Sequence, residues 1–375
     1  MKRTKILLLF YILMFNLFFS QSDCNNNRYL DYMYDVNIDY GIQYGQNINE
    51  SLWGSQINQD LYMDIYYPDD DNFNERPLIF FLFGGSFVSG SRNSPDIVSL
   101  CTKYASMGYV AVAIDYRLSE FLLFTNPTEE NGYKAVMKAI HDLKAAIRYF
   151  KMNDDLFDDY GIDSNRVFAG GYSAGAFASI NGAYLNDYNE LPEFLYDNYE
   201  QIGGLEGLSG NQGYDSSFHG VINLSGAVGD ANWIIENDIP IVSMHGNQDD
   251  VVPYADDLVT LFGLNIEVDG SYIIHQKMLE LGNYSDLHTY ENQGHYPYSD
   301  MEFEVSFSSN FLYDIICSES LLGDINQDDF INVQDILLVI NLIINGEYDS
   351  LADMNSDSLI NVLDVVQLVN IILSV

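Results

Sequence analysis

Positive charge is what this sequence has least of. Fifteen Lys and Arg stand against 55 Asp and Glu, for a formal net charge of −40 over 375 residues. A field of that sign repels phosphate backbones and anionic lipid, which excludes nucleic acid and anionic membrane surfaces as partners. No Lys or Arg at all occurs between Ser318 and Val375. Cysteine is scarce as well: Cys24, Cys101 and Cys317 allow at most one intrachain bridge. Apolar runs long enough to span a membrane are missing after the first twenty or so residues. The length suffices for one large domain and a small one.

The beginning of the chain is the exception to the scarcity of positive charge and of long apolar runs. Lys2, Arg3 and Lys5 precede an apolar run from Ile6 to Phe19. A basic segment before a run too short to span reads as a secretory signal peptide over residues 1–22, with cleavage near Ser20 to Ser22. The expected location is therefore extracellular, secreted or at the cell surface, with no membrane span in the mature chain. An exported chain meets oxidising conditions, so Cys24 and Cys317, which flank the large domain expected over 23–317, are the candidates for a disulfide. Cys101 sits in "VSLCTKYASMGY", a helical pattern facing a core, and is expected to be buried and reduced.

Strand and helix patterns alternate through that domain. "DLYMDIYYP" (60–68) alternates like a half-buried strand, and "RPLIFFLFGG" (76–85) is a continuous apolar run ending in glycines. "GYVAVAIDYRL" (108–118) is a further strand, and "GYKAVMKAIHDLKAAIRYFKMN" (132–153) has helical spacing. "RVFAGGY" reads as strand, "SAGAFASINGAYL" as helix, and "GVINLSGA" and "IPIVSMHG" as strands. The series predicts an α/β domain with a mostly parallel sheet covered on both faces. Residues 186–217, rich in Tyr, Leu, Asn and Gly, break the rhythm and read as an insertion, either a connecting excursion or a lid or pocket wall.

Gly171-Tyr172-Ser173-Ala174-Gly175 places a serine between glycines where a strand meets a helix. Acyl transfer needs an activated hydroxyl, a base and donors for an oxyanion. The glycines permit a tight turn exposing Ser173, and the helix N-terminus favours negative charge. "LFGGSFVSG" follows a buried strand, so the N–H groups of Gly85 and Ser86 join that of Ala174 as oxyanion donors. "SMHGNQDDVVPY" follows another strand and offers Asp249 as the acid, with Asp250 its neighbour. Of six histidines, His295 in "ENQGHYPYS" comes after both serine and acid and is the candidate base, with His288 behind it. His141 is expected at a helix surface or interface, and His245 as a packing residue.

In combination these segments resemble the α/β-hydrolase superfamily, in its secreted carboxylesterase and esterase/lipase branch, over about Arg28 to Ile316. The resemblance implies the α/β-hydrolase fold and a triad of Ser173, Asp249 and His295, in the chain order of that superfamily. "FGGSF" resembles its HGGGF oxyanion segment, with Phe83 in place of His and Ser86 in place of the third glycine. "HGNQDDVVPY" resembles its HG-x-x-D-x-x-V-P segment, which favours Asp249 over Asp250. "DYRL" (115–118) and "YGIDSNRV" (160–167) look like structural landmarks of the same superfamily. Catalysis of this kind uses no metal or organic cofactor.

From Leu322 to Val375 an internal repeat appears: "GDINQDDFINVQD" and "ADMNSDSLINVLD", each followed by an apolar helical stretch. Oxygen ligands at loop positions 1, 3, 5, 7, 9 and 12 define an EF-hand-type calcium loop. The first repeat supplies Asp324, Asn326, Asp328, the Phe330 carbonyl, Asn332 and Asp335. The second supplies Asp353, Asn355, Asp357, the Leu359 carbonyl, Asn361 and Asp364. Hard oxygens in a roomy loop favour Ca²⁺ over Mg²⁺, giving two structural Ca²⁺ sites. Position 6 holds Asp329 and Ser358 where glycine is usual, and both loops end in Asp. A calcium loop followed by one helix, twice, resembles a dockerin module, a small all-α domain. The resemblance implies a cohesin-type protein partner, with recognition positions at Val333-Gln334 and Val362-Leu363.

The sequence thus reads as an exported serine esterase with a calcium-binding appendage. The dockerin resemblance tilts its substrate towards acylated carbohydrate, such as acetyl or feruloyl esters of polysaccharides. The rival readings are a serine peptidase of the same fold and a catalytically inactive relative serving adhesion.

Overall fold

The computed structural model describes residues 24, 27–50, 55–119, 127–198, 203–261, 264–317, 322–326, 331–345, 348–349, 351–355 and 359–374. The expected signal peptide lies outside these residues, as do Asp328, Phe330 and Asp357 of the repeats. The chain divides into two compact units, Met1–Ile316 and Cys317–Val375.

The first unit is built on an eight-stranded sheet. Its strands are β1 (Val36–Glu50), β2 (Gln56–Pro68), β3 (Arg76–Leu82), β4 (Val110–Ile114), β5 (Ile162–Tyr172), β6 (Val221–Leu224), β8 (Ile241–Gly246) and β11 (Ser285–Tyr290), in the order β1-β2-β4-β3-β5-β6-β8-β11. β1 and β2 form an antiparallel pair and β2 joins β4 antiparallel; from β4 to β11 every pairing is parallel. All residues of β3, β4 and β6 are buried, which is why these strands read as unbroken apolar runs. The expected α/β architecture holds, and the strands expected at 60–68, 76–85, 108–118 and after Arg166, Gly220 and Ile239 all form.

Helices α1 (Pro95–Ser106), α2 (Glu129–Leu156), α3 (Ala174–Tyr184), α4 (Ser271–Glu280) and α5 (Glu302–Cys317) connect the strands. Thr128 starts α2 with a reciprocal cap: its Oγ accepts from the Asn131 N–H, and Asn131 Oδ1 accepts from the Thr128 N–H at 2.9 Å. A second, three-stranded sheet joins β7 (Ala227–Val228) to the hairpin of β9 (Asp256–Leu261) and β10 (Leu264–Gly270). The sequence reading had no strand at this hairpin. Cys101 is free and buried on α1, as expected, while Cys24 and Cys317 are disulfide-bonded.

His141 corrects an expectation. It is buried on α2, and its Nε2 lies 2.8 Å from the Gly204 carbonyl oxygen of the 186–217 insertion. Removal from water pushes its pKa down to about 4. The same insertion is tied to α2 by Glu206, which pairs with Lys144 at 2.7 Å and Arg148 at 3.1 Å. No helix among the described residues is long and apolar enough to cross a membrane.

In the second unit, α6 (Val333–Asn345) and α7 (Val362–Ser374) follow the two acidic loops. Val339, Ala352, Met354 and Leu368 form its core.

Candidate active site

In an open α/β sheet the loops at the carboxyl ends of neighbouring strands part where the chain turns to opposite sides, leaving a crevice. Here β3 lies between β4 and β5, and the loops after β3 and β5 carry the glycine-rich segment and Ser173.

The turn at Ser173 is tight and strained. Ser173 has φ 53° and ψ −117°, outside the regions open to most side chains. Its N–H is anchored on the Leu224 carbonyl at 2.8 Å. Gly171 and Gly175 make the turn possible: a Cβ on either would lie 2.2 or 2.0 Å from the Leu82 carbonyl oxygen. Ser173 is thereby held at the start of α3, 6% exposed.

His295 and Asp249 meet it there. His295 Nε2 is 2.8 Å from Ser173 Oγ, and His295 Nδ1 is 2.7 Å from Asp249 Oδ2. With Nδ1–H donating to the carboxylate, the Nε2 lone pair is left to accept the Ser173 proton. The Asp249 side chain is fully buried, whereas Asp250 is exposed. Burial pushes the Asp249 carboxyl up, but donation from His245, His295 and the backbone outweighs it and holds the group below the ordinary carboxylate range. His288 stands apart, packed against the rings of Tyr290 and Phe303. His245 does more than pack: its Nε2 lies 2.9 Å from the same Asp249 oxygen that faces His295. Its position four residues before the acid was the only sequence signal for that role.

Of the expected oxyanion donors, Ser86 and Ala174 line the same cavity as the serine. Gly85 and Ser86 have φ +122° and 54° in a tight turn, closed by the Val88 N–H on the Gly85 carbonyl at 3.0 Å. Among the described residues no protein acceptor takes the N–H of Ser86 or Ala174. Phe83, where the resemblance has His, stacks on Tyr116 at 4.2 Å, and Tyr116 Oη donates to the Phe83 carbonyl at 2.8 Å. An aromatic stack thus holds the start of the loop in place of an imidazole.

Ser86, Ser173 and Ala174 open onto a cavity of about 100 Å³. Its walls come from Phe87, Tyr133, Met137, Phe177, Trp233 and Val268, and no charged side chain is among its described lining residues. Asn181, the amide on its wall, is consumed internally: Nδ2 donates to the Phe177 and Ala227 carbonyls, and Oδ1 accepts from the Gly229 N–H. Val259, Ile266 and Val268 of the β9–β10 hairpin complete the apolar wall, a contribution the sequence reading missed. Leu191 of the insertion is also in the wall. "DYRL" is structural, as expected: Asp115 accepts from the Arg92 N–H at 2.8 Å, and Arg117 pairs with the buried Asp142 at 2.9 Å.

In the second unit, Asp335 accepts from the backbone N–H groups of Ile325, Asn326 and Asn332 at 2.8, 3.2 and 2.8 Å. Asp364 accepts from the Asn361 N–H at 2.8 Å, but its Oδ1 is buried and has no hydrogen-bond partner among the described residues. Asp324 and Asp353 are also buried. Among the described residues, no three acidic, histidine or cysteine side chains converge on one point as a metal site.

Residues 63–203 match the family model described as BD-FAE. The chain is 29% identical over 112 residues to gut esterase 1 of Caenorhabditis elegans, covering 30% of this chain and 19% of that protein. It is 29% identical over 149 residues to esterase LipC of Mycobacterium tuberculosis, covering 39% of this chain and 33% of that one. The aligned segments therefore span only about a fifth to a third of those relatives. Among solved structures it is similar to Thermogutta terrifontis esterase 2 phosphoramylated by tabun, with TM-score 0.52, 20% identity, and coverage of 72% of this chain and 95% of that one. The first unit has the α/β-hydrolase fold, and its relatives include esterases.

Proposed function

We propose that the chain is a serine carboxylic-ester hydrolase. The observation that carries this reading is the unbroken relay from Asp249 through His295 to Ser173, at 2.7 and 2.8 Å. On it, His295 takes the Ser173 proton as Oγ attacks the ester carbonyl. The N–H groups of Gly85, Ser86 and Ala174 hold the developing oxyanion, His295 returns the proton to the departing alcohol, and water then frees the acid. The apolar cavity beside Ser173 suits the acyl group, and acetyl or aromatic acyl esters of carbohydrates are the proposed substrates. The resemblance of the C-terminal repeats to dockerins supports that choice.

The same proposal includes export through the N-terminal segment and two Ca²⁺ sites in the repeats. What supports calcium is electrostatic. Asp324, Asp335, Asp353 and Asp364 are all buried in a stretch that has no Lys or Arg, and one Asp364 oxygen has no hydrogen-bond donor among the described residues. Gathering buried carboxylates is costly, and a divalent cation held by the two loops would compensate them. A cohesin-type partner for the repeats is part of the reading.

The test is hydrolysis of short-chain p-nitrophenyl esters by the calcium-loaded chain and its Ser173→Ala variant. Activity that the substitution abolishes supports the reading. A folded protein inactive in both forms overturns it in favour of a binding role.

A further inference from the structure

The Asp249 carboxylate is saturated. Its Oδ1 accepts from the N–H groups of Val251 and Val252 at 2.8 and 3.0 Å. Its Oδ2 is shared by His295 Nδ1 at 2.7 Å and His245 Nε2 at 2.9 Å. Two donors on each oxygen of a fully buried side chain leave the carboxylate neither rotation nor water.

The tautomer of His245 is dictated by what surrounds it. Nε2 also lies 3.1 Å from the Val252 carbonyl, so it faces two acceptors and carries a proton. Nδ1 faces Ser271 Oγ at 2.7 Å. That hydroxyl accepts from Asn223 Nδ2 at 2.8 Å, and its single proton points to Nδ1 in preference to the Gly226 carbonyl at 3.4 Å. Asn223 is itself oriented, because its Oδ1 accepts the Gly226 N–H at 2.7 Å and its Nδ2 also meets Ser243 Oγ at 3.0 Å. Asn223, Ser271 and His245 are all fully buried. A backbone N–H thus sets an amide, the amide a hydroxyl, the hydroxyl an imidazole, and the imidazole the triad acid.

We propose that His245, fixed by Ser271 and Asn223, is a positioning residue that holds Asp249 for His295 and tempers its pull on the His295 proton. The inference rests on the ester-hydrolase reading. A carboxylate oxygen shared between two N–H donors offers less negative charge to each. Removing His245 therefore concentrates that charge on His295, favours its protonated form, and loosens the carboxylate's aim. The other groups facing His295 are Tyr172, whose Oη donates to the His295 carbonyl at 3.3 Å, and the adjoining Tyr296; Asp96 acts electrostatically on both tyrosines and Glu304 on Tyr296. Tyr254 packs edge-on against His245 at 5.6 Å.

The experiment compares the full-length, calcium-loaded protein with His245→Leu, His245→Gln, Ser271→Ala and Ser173→Ala on p-nitrophenyl butyrate, following kcat, KM and the pH profile of kcat/KM. His245→Leu is expected to lower kcat by roughly ten- to a hundredfold with little change in KM, as loss of an orienting partner does elsewhere. Its acid limb should move to higher pH. His245→Gln, which keeps an N–H donor, should recover most of both, and Ser271→Ala should show the same shift in smaller measure. A purely structural role would lower the melting temperature and leave the acid limb in place. If His245→Leu does not fold, the Gln and Ala variants decide. Parental kcat and an unmoved acid limb in the folded variants, with Ser173→Ala inactive, overturn the inference. Hydrolysis undiminished in Ser173→Ala overturns the reading beneath it, and the inference with it.

Discussion

The two compact units bury negative charge in opposite ways. In the first, three buried acid side chains have arginine partners at hand. Asp142 meets Arg117, Asp71 lies between Arg28 at 2.6 Å and Arg76 at 2.9 Å, and Asp64 pairs with Arg92 at 2.9 Å. In the second, Asp324, Asp335, Asp353 and Asp364 are buried with no Lys or Arg anywhere from Ser318 to Val375. Arg28, Arg76, Arg92 and Arg117 are thus structural, placed where removing them strands a buried charge. The first unit carries its own compensation. On the proposed calcium reading the second would depend on ions from solution, so the two should respond differently to chelation, to substitution and to pH.

The largest effect expected is on catalysis and belongs to the first unit alone. Asp249→Asn leaves the shape of the site intact but permits the wrong His295 tautomer, and should cut kcat by about 10⁴-fold. Steady-state kinetics with and without calcium would check that the loss is the same in both. Next in size is Arg117→Met, which leaves Asp142 and Ser209 without their cation. Destabilisation of about 3–5 kcal/mol is expected in urea unfolding of the first unit, independent of calcium. Chelation should do the reverse: the transition of the second unit moves down while the first stays put and esterase activity is retained. At free Ca²⁺ a hundredfold above Kd, the stabilisation removed is about 2.7 kcal/mol, readable by calorimetry.

A smaller effect separates the units by pH. His141 is neutral in the folded chain down to about pH 4, while an unfolded histidine takes a proton near the ordinary value of 6.5. Between those values the unfolded state binds more protons, so stability present above the upper value is lost as pH falls through the lower. His141→Gln, which keeps a donor for the Gly204 carbonyl, should flatten the fall in first-unit stability across that window. Melting temperatures at several pH values would show it.

Much of the candidate site was legible because its local signals coincide. The glycines around Ser173 have a steric reason that reads directly from G-x-S-x-G between a strand and a helix, and β3 and β4 are apolar throughout because both their faces are covered. β1 was not legible: Gly41, Gly45 and several Asn and Gln interrupt it, and it pairs at the sheet edge with one strand alone. The β9–β10 hairpin escaped for a similar reason, since acidic residues flank its apolar positions. His141 and His245 were misread because their partners are set by tertiary contacts. Gly204 is 63 residues from His141, and Ser271 is 26 from His245. Periodicity reports which face is buried, not which polar atom waits there.

The central claim is that Ser173 is the nucleophile of an ester hydrolase. Its most direct test is to treat the calcium-loaded, full-length protein with an organophosphate ester and locate the adduct by peptide mass spectrometry. The account predicts one adduct per chain, on Ser173, with activity lost in proportion to labelling and no labelling in His295→Ala. Full hydrolytic activity with Ser173 unmodified, or labelling confined to another residue, would contradict it.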